Sequence, residues 1–83
     1  MKVEFHPHSR ERMAERGVIE SEVTATIQSG ERFPTRFGRT GFRHNFPFGS
    51  EWHGNHYEFK EVEVYAVERG GGWLVITVIV RYF

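Results

Sequence analysis

The last eleven residues, Trp73 to Phe83 (WLVITVIVRYF), set the strongest constraint on the fold. Leu74, Ile76, Val78 and Val80 fill one face of an extended strand, and Trp73, Val75, Thr77 and Ile79 fill much of the other. A strand apolar on both sides is interior to a sheet. This one is therefore expected to be central, or covered on both faces, and the rest of the chain has to supply its neighbours.

Those neighbours read upstream. Glu58 to Glu68 alternates Val62, Val64 and Ala66 with Glu61, Glu63 and Tyr65, a two-residue period, and Arg69 to Gly72 makes a glycine turn. Gly41 to Phe48 puts Phe42, His44, Phe46 and Phe48 on one side and Arg43 and Asn45 on the other. Arg32 to Phe37 is a further strand, confined to an edge by Pro34, with a turn over Gly38 to Gly41. Pro47 to Tyr57 (PFGSEWHGNHY) shows no regular pattern and is expected to be a long loop. Lys2 to Phe5 alternates as a short edge strand could.

Before Arg32 the period is helical. A first helix is expected from about His8 to Arg16, with Pro7 suited to its first turn and Ser9 or His8 as cap. Gly17 ends it in a left-handed C-cap. Met13 is its main apolar contact, so a helix this short borrows stability from packing. A second helix, Glu20 to Ser29, carries Val23 and Ile27 four apart and closes at Gly30. The order of elements gives the expected fold class: α+β, two short N-terminal helices packed on a four-stranded, mainly antiparallel sheet.

Eighty-three residues make one domain with a modest core. The absence of cysteine excludes a disulfide framework and a thiolate zinc site. No apolar run approaches membrane-spanning length, and the charged start MKVEFHPHSR lacks the apolar region of a signal peptide. The expectation is a cytoplasmic protein with no membrane partner. Net charge is zero, but it is segregated. Residues 1–31 carry four Lys/Arg and six Glu; residues 32–50 carry four Arg and no acid. Residues 51–68 carry one Lys and five Glu, and residues 69–83 two Arg. The second block is a clean basic patch.

Within the first helix, His8, Arg12 and Arg16 stand at four-residue spacing and share one ridge. Three such groups side by side repel one another. Either Glu4, Glu11 and Glu15 neutralise the ridge, or it meets an anion. The pattern His8-x-x-x-Arg12-Met13-x-x-Arg16-Gly17-Val18, then Glu22-Val23 and Ile27-x-x-Gly30, resembles the bacterial family known as domain of unknown function 4258. Ile76-Thr77-Val78 is similar to that family's closing segment, so the resemblance spans nearly the whole chain outside Pro47–Tyr57. The family is similar in architecture to RelE-like and barnase-like ribonuclease toxins. The resemblance implies a toxin-like domain, with a metal-independent endoribonuclease or an RNA-binding protein as the expected function.

Metal-free RNA cleavage needs groups that move protons and cations that hold the phosphate. On that reading the catalytic candidates are His8, Arg12 and Arg16, and the substrate-binding candidates are Arg36, Arg39, Arg43, His44 and Arg81. Arg81-Tyr82 matches the late arginine and tyrosine of RelE-like enzymes, although adjacent strand residues face opposite sides. The plainer alternative makes His8 a capping residue and pairs Arg12 and Arg16 with glutamates. The run Arg32, Phe33, Arg36, Phe37, Arg39, Phe42, Arg43, His44, Phe46 interleaves arginines with aromatics, the composition that grips phosphates and stacks bases. The phenylalanines are expected in the core; the arginines remain free for RNA or for an acidic partner such as an antitoxin. His6, His8 and one of His53 and His56 are the residues a metal site would draw on, but the ligand set is thin and no cofactor is expected. The rival class is a non-catalytic interaction module, whose basic hairpin docks an acidic protein and whose glutamate-rich strand docks a basic one or a second protomer in a homodimer.

Overall fold

A computed structural model describes residues 1–83. The elements in order are β1 (Val3–Phe5), α1 (Pro7–Arg16), α2 (Glu20–Ser29), β2 (Glu31–Pro34), β3 (Thr40–Trp52), β4 (Asn55–Arg69) and β5 (Gly72–Tyr82). One sheet joins all five strands in the order β1-β5-β4-β3-β2. The α+β class and the two N-terminal helices stand as expected, and the strand count does not. The sheet has five strands and is mixed, because β1 runs parallel to β5. The fifth strand is the short edge strand suggested by Lys2–Phe5, which the count of four leaves out. β1 exists because β5 offers it an edge: the Lys2 carbonyl accepts from the Trp73 N–H at 2.9 Å, and the His6 N–H donates to the Val75 carbonyl at 3.0 Å.

Both helices cover the same sheet face. Met13, Val18, Val23 and Ile27 bury against Phe42, Val62, Val64, Ala66, Val75 and Val78. In β4 the alternation is as expected, with Val62, Val64 and Ala66 inward. In β5 it is not. Tyr65 pairs with Thr77 while Ala66 pairs with Val75, so Ile76 is an extra residue that shifts the register. Such a bulge reverses which residues face the core. The helix side of β5 is therefore Val78 and Val80 on one side of the bulge and Val75 and Trp73 on the other, not the unbroken Leu74–Ile76–Val78–Val80 row. The strand is interior to the sheet only at Trp73–Val75, where β1 flanks it; beyond that its outer edge pairs with no strand, and no helix covers its second face, where Ile79 is 38% exposed.

The stretch 47–57 is not a loop. β3 continues to Trp52 and β4 begins at Asn55, and the tight turn between them has positive φ at both central residues, His53 (50°) and Gly54 (84°). That is the sign pattern of a type I′ turn, whose twist suits a hairpin. The irregularity that hides the strands in the sequence is a register shift between Pro47 and Ser50, with Gly49 at φ 54°. Phe59 and Phe83 exchange both backbone hydrogen bonds, so Pro47, opposite Phe59, turns its nitrogen outward along the free edge of β3. A proline there leaves no N–H for a further strand to pair with.

The cap of α1 also differs from expectation. His6, not His8 or Ser9, is the N-cap: its Nδ1 accepts from the His8 N–H at 3.1 Å. Ser9 lies buried inside the helix with its hydroxyl donating to the His6 carbonyl at 2.6 Å. Gly17 closes the helix at φ 73° in the expected left-handed cap. It has a second reason to be glycine, because a Cβ would sit 2.7 Å from the Trp52 ring and 2.9 Å from the Tyr82 hydroxyl. Gly17→Ala is expected to lower stability by about 2 kcal/mol or more, from left-handed strain plus the clash. Chemical denaturation checks this, and a loss within experimental error would show that Trp52, at the end of the β3–β4 hairpin, does not rest on this turn.

Candidate functional site

The His8–Arg12–Arg16 ridge is split by its own neighbours. Arg12 pairs with Glu15 at 2.8 Å. The Arg16 guanidinium donates to the Val78 carbonyl at 2.7 Å, while the Arg16 carbonyl accepts from the Tyr82 hydroxyl at 2.7 Å. Arg16 is thus a tie between α1 and β5. His8 is exposed at the start of the helix. Arg43 and Arg81 belong to the opposite side of the sheet, in register with Glu63 and Glu61, whereas the helices lie over Val62 and Val64. The ridge and these two arginines do not share a cleft. Arg81 and Tyr82 face opposite sides, as strand geometry requires.

On the helix-free face the centre is Glu63, only 4% exposed. It accepts from the Tyr65 hydroxyl at 2.8 Å, from Arg81 at 3.0 Å and from Arg43 Nε at 3.3 Å. Arg43 also reaches Glu31 at 3.5 Å and lies 4.5 Å from the Phe33 ring centre, and Arg81 also binds Glu61. Phe33 in turn packs over Gly41, where a Cβ would be 2.3 Å from its ring, and meets Tyr65 edge-on at 6.1 Å. Burial pushes the Glu63 carboxyl up, but hydrogen bonds from Tyr65 and Arg81 and the charges of Arg81 and Arg43 together hold it below the usual carboxylate range. Burial, then the bond to the Glu63 anion, pushes the Tyr65 phenol up. Near neutral pH one is a settled anion and the other a settled phenol. Two guanidiniums against three carboxylates also leave this patch net negative. It is built to be rigid, and it is a poor receptor for phosphate.

A second buried ion lies on the helix side. Lys60, 4% exposed, donates to Glu22 at 2.9 Å and to the Gly17 carbonyl, beneath the Tyr82 ring. Burial first, and then the Glu22 charge, pushes the Tyr82 phenol up. Sequence reasoning missed Lys60, although its position was marked: it shares the parity of Val62, Val64 and Ala66, the core-facing row of β4.

The histidines are dispersed. His6 caps α1, His44 meets Phe46 edge-on at 4.8 Å, His53 stacks on Trp52 at 4.4 Å, and His56 approaches Glu58 at 2.7 Å. No three His, Cys, Asp or Glu side chains group as metal ligands, so the combination of His6, His8 and the hairpin histidines is not assembled.

The β2–β3 turn differs from all of this. Arg36 and Arg39 flank Phe37 and Gly38, whose φ values are both positive at 62° and 68°. The Arg39 N–H donates to the Arg36 carbonyl at 3.3 Å, and the Thr35 hydroxyl donates to the Arg39 carbonyl at 2.8 Å, which fixes the turn. Arg36 and Arg39 are exposed, and Arg32 at the base lies over the Trp73 and Phe42 rings at 5.1 and 5.8 Å. Of the 11 Lys and Arg residues, Lys2, Arg10, Arg12, Arg43, Lys60, Arg69 and Arg81 have carboxylate partners. Arg16 is held by a carbonyl. Arg32, Arg36 and Arg39 are what remains: Arg36 and Arg39 in the β2–β3 turn, and Arg32 in the strand that leads into it. Phe42 is core as expected, but Phe37 is 87% exposed.

A scan of protein-family models, a search of curated proteins and a search of solved structures each returned no match to this chain.

Because the folded Glu63 carboxyl is held below its unfolded value, its contribution is present above the ordinary carboxylate range and is lost as pH falls through the folded value. Glu63→Gln is expected to cost about 1–2 kcal/mol near neutral pH, the buried anion being tempered by partly exposed arginines. It should also flatten the acid limb of the melting-temperature profile between pH 7 and pH 3. Parallel acid limbs for the two proteins would remove Glu63 as the source.

Proposed function

We propose that this chain is an RNA-binding module that grips phosphates with Arg32, Arg36 and Arg39 and does not cleave its ligand. One observation carries the reading. Seven of the other cations have carboxylate partners and Arg16 is held by a carbonyl, which leaves these three, close in sequence in β2 and the β2–β3 turn, without a carboxylate. In a protein of zero net charge, an uncompensated corner focuses the field there instead of spreading it. Such a corner attracts a polyanion and releases its counterions.

Binding is preferred to cleavage on chemical grounds. Cleavage would need proton-transfer groups beside the phosphate-holding cations. Glu63 and Tyr65 are held in fixed protonation states, and their arginines are already neutralised. His8 stands on the helix face without Arg43 or Arg81 beside it, and Arg12 and Arg16 are engaged elsewhere. The resemblance to the domain of unknown function 4258 family, and its architectural likeness to RelE-like toxins, fits an RNA partner and adds no catalytic group at this corner. No helix is long and apolar enough to cross a membrane. An acidic protein such as an antitoxin is the competing occupant of the same three arginines.

Anisotropy of a labelled RNA 12-mer, titrated with the full chain at several salt concentrations, tests the reading. Affinity is expected in the range of about 10⁻⁴–10⁻⁶ M, with a log–log salt slope near −2, or roughly −0.7 per phosphate neutralised. Each of Arg32→Ala, Arg36→Ala and Arg39→Ala should reduce that slope by somewhat under one, while Arg12→Ala and His8→Ala leave it unchanged. The RNA should stay intact with or without EDTA. Cleavage lost in His8→Ala, or equal binding by a triple alanine variant of the corner, would overturn the proposal.

A further inference from the structure

The β2–β3 turn carries an expense that the fold does not need. Positive φ at both central residues is the pattern for which Asn-Gly or Gly-Gly is suited. The chain meets it with Gly70-Gly71 between β4 and β5. At Phe37-Gly38 a bulky aromatic takes the first position at φ 62°, a region that side chains of its kind avoid. Nothing inside the molecule returns the strain. The ring is 87% exposed and packs against no other ring of the chain. No cation lies over it. The turn is nonetheless ordered by its own hydrogen bonds from Thr35 and Arg39, so the ring is presented from a fixed base. An observed backbone outlier with no structural return is a reason to look for a ligand.

The other exposed rings do not combine these features, although His53 also takes a positive φ (50°) at the first position of its own turn. Phe59 and Phe83 stack on each other at 5.5 Å, and of the cations beside them in sequence Lys60 is buried on the helix side and Arg81 is paired with Glu61 and Glu63. His53 stacks on Trp52 at the tip of an arm bearing Glu51 and Glu58. Only Phe37 combines an open π-face with two uncompensated guanidiniums, Arg36 and Arg39, one and two residues away.

We propose that Phe37 stacks on an unpaired base while Arg36 and Arg39 hold the flanking phosphates, so that the corner selects single-stranded over double-stranded RNA. This rests on the RNA reading above and specifies its substrate class. Every base offers a π-face, so the selection is for strandedness and not for sequence. In a duplex those faces are already stacked on their neighbours, which leaves only the arginine–phosphate attraction.

The test uses the full chain with a labelled oligouridine 12-mer, an RNA duplex of the same length and a polyglutamate peptide, all at one salt concentration. The variants are Phe37→Asn, which suits the left-handed backbone and removes the ring, and Phe37→Trp, which enlarges it. The wild type should prefer the single strand. Phe37→Asn should weaken single-strand binding by between about five- and a hundred-fold, the range for loss of one base–aromatic stack, and leave duplex binding unchanged. Phe37→Trp should bind the single strand at least as tightly as the wild type. Equal single-strand binding by Phe37→Asn and the wild type, with Arg36→Ala still weakened, overturns the stacking inference and leaves the RNA reading intact. No binding of either RNA by the wild type overturns both. Binding of polyglutamate that depends on Phe37, without binding of RNA, assigns the corner to an acidic protein and overturns both as well.

Discussion

The turn at Arg16–Gly17 is where the two helices are fastened to the sheet, and the architecture depends on how its backbone polar groups are satisfied. Helix α1 buries only Ser9 and Met13, too little to hold a ten-residue helix by packing alone. What it lacks in apolar area is supplied by polar ties. Arg16 donates to Val78, Tyr82 donates to the Arg16 carbonyl, and Lys60 donates to the Gly17 carbonyl. Glu22 balances Lys60 and also accepts from the Ile19 N–H at 3.1 Å, which gives α2 the start that the apolar cap residue Ile19 cannot. A buried lysine is tolerable only when such partners offset its desolvation. Here they also fix the end of one helix, the beginning of the next and the last strand at a single point. The long β3–β4 arm closes over this point. Trp52 stacks on Tyr82 at 4.8 Å and leaves Gly17 no room for a side chain.

The same economy governs charge. The sheet face without helices is kept from being a bare polar surface by one carboxylate, Glu63, that holds Arg43, Arg81 and Tyr65 together. Arg43 belongs to the block of residues 32–50, a clean basic patch in the sequence, yet folding brings glutamates from β2 and β4 against it. A patch that is basic along the chain is therefore not the patch that is basic in space. Folding removes Arg43 and concentrates what is left at Arg32, Arg36 and Arg39. The ridge on α1 is subject to the same correction, since four-residue spacing places side chains on one face but does not say what lies opposite that face.

Much of the framework was legible because it follows from local rules. Gly17 and Gly30 end the helices, β4 alternates as a strand with one wet face, and Arg81 and Tyr82 part to opposite sides. What was not legible is what depends on a partner distant in the chain. β1 is the short edge strand that Lys2–Phe5 suggests, but its parallel direction is set by an edge more than sixty residues away. The bulge at Ile76 leaves no mark in a segment where every residue nearby is apolar, so the parity of β5 cannot be read through it. The Pro47–Ser50 shift breaks the period that would have announced the long hairpin. Lys60 was legible in principle, from parity, but a lysine in a core-facing position is set aside unless its partner, Glu22, is known to lie above it.

Phe37 belongs to neither group, and that is what gives it weight. Its composition context predicts a core residue, and Phe42, five residues on, behaves as one. Phe33 behaves as a lid over Gly41 and Tyr65. Both stand in strands, where alternation dictates a face. Phe37 stands where the chain reverses direction, and the left-handed conformation imposed by the reversal turns it away from every other ring. Local preference, turn geometry and burial agree at most positions of this chain; they conflict here, beside cations that the fold leaves uncompensated. A conflict of that kind is expected at a functional position, because folding stability alone would have favoured Asn or Gly there. The strongest functional signal in the molecule is thus not the ridge with an evident spacing but the residue that breaks the local rule.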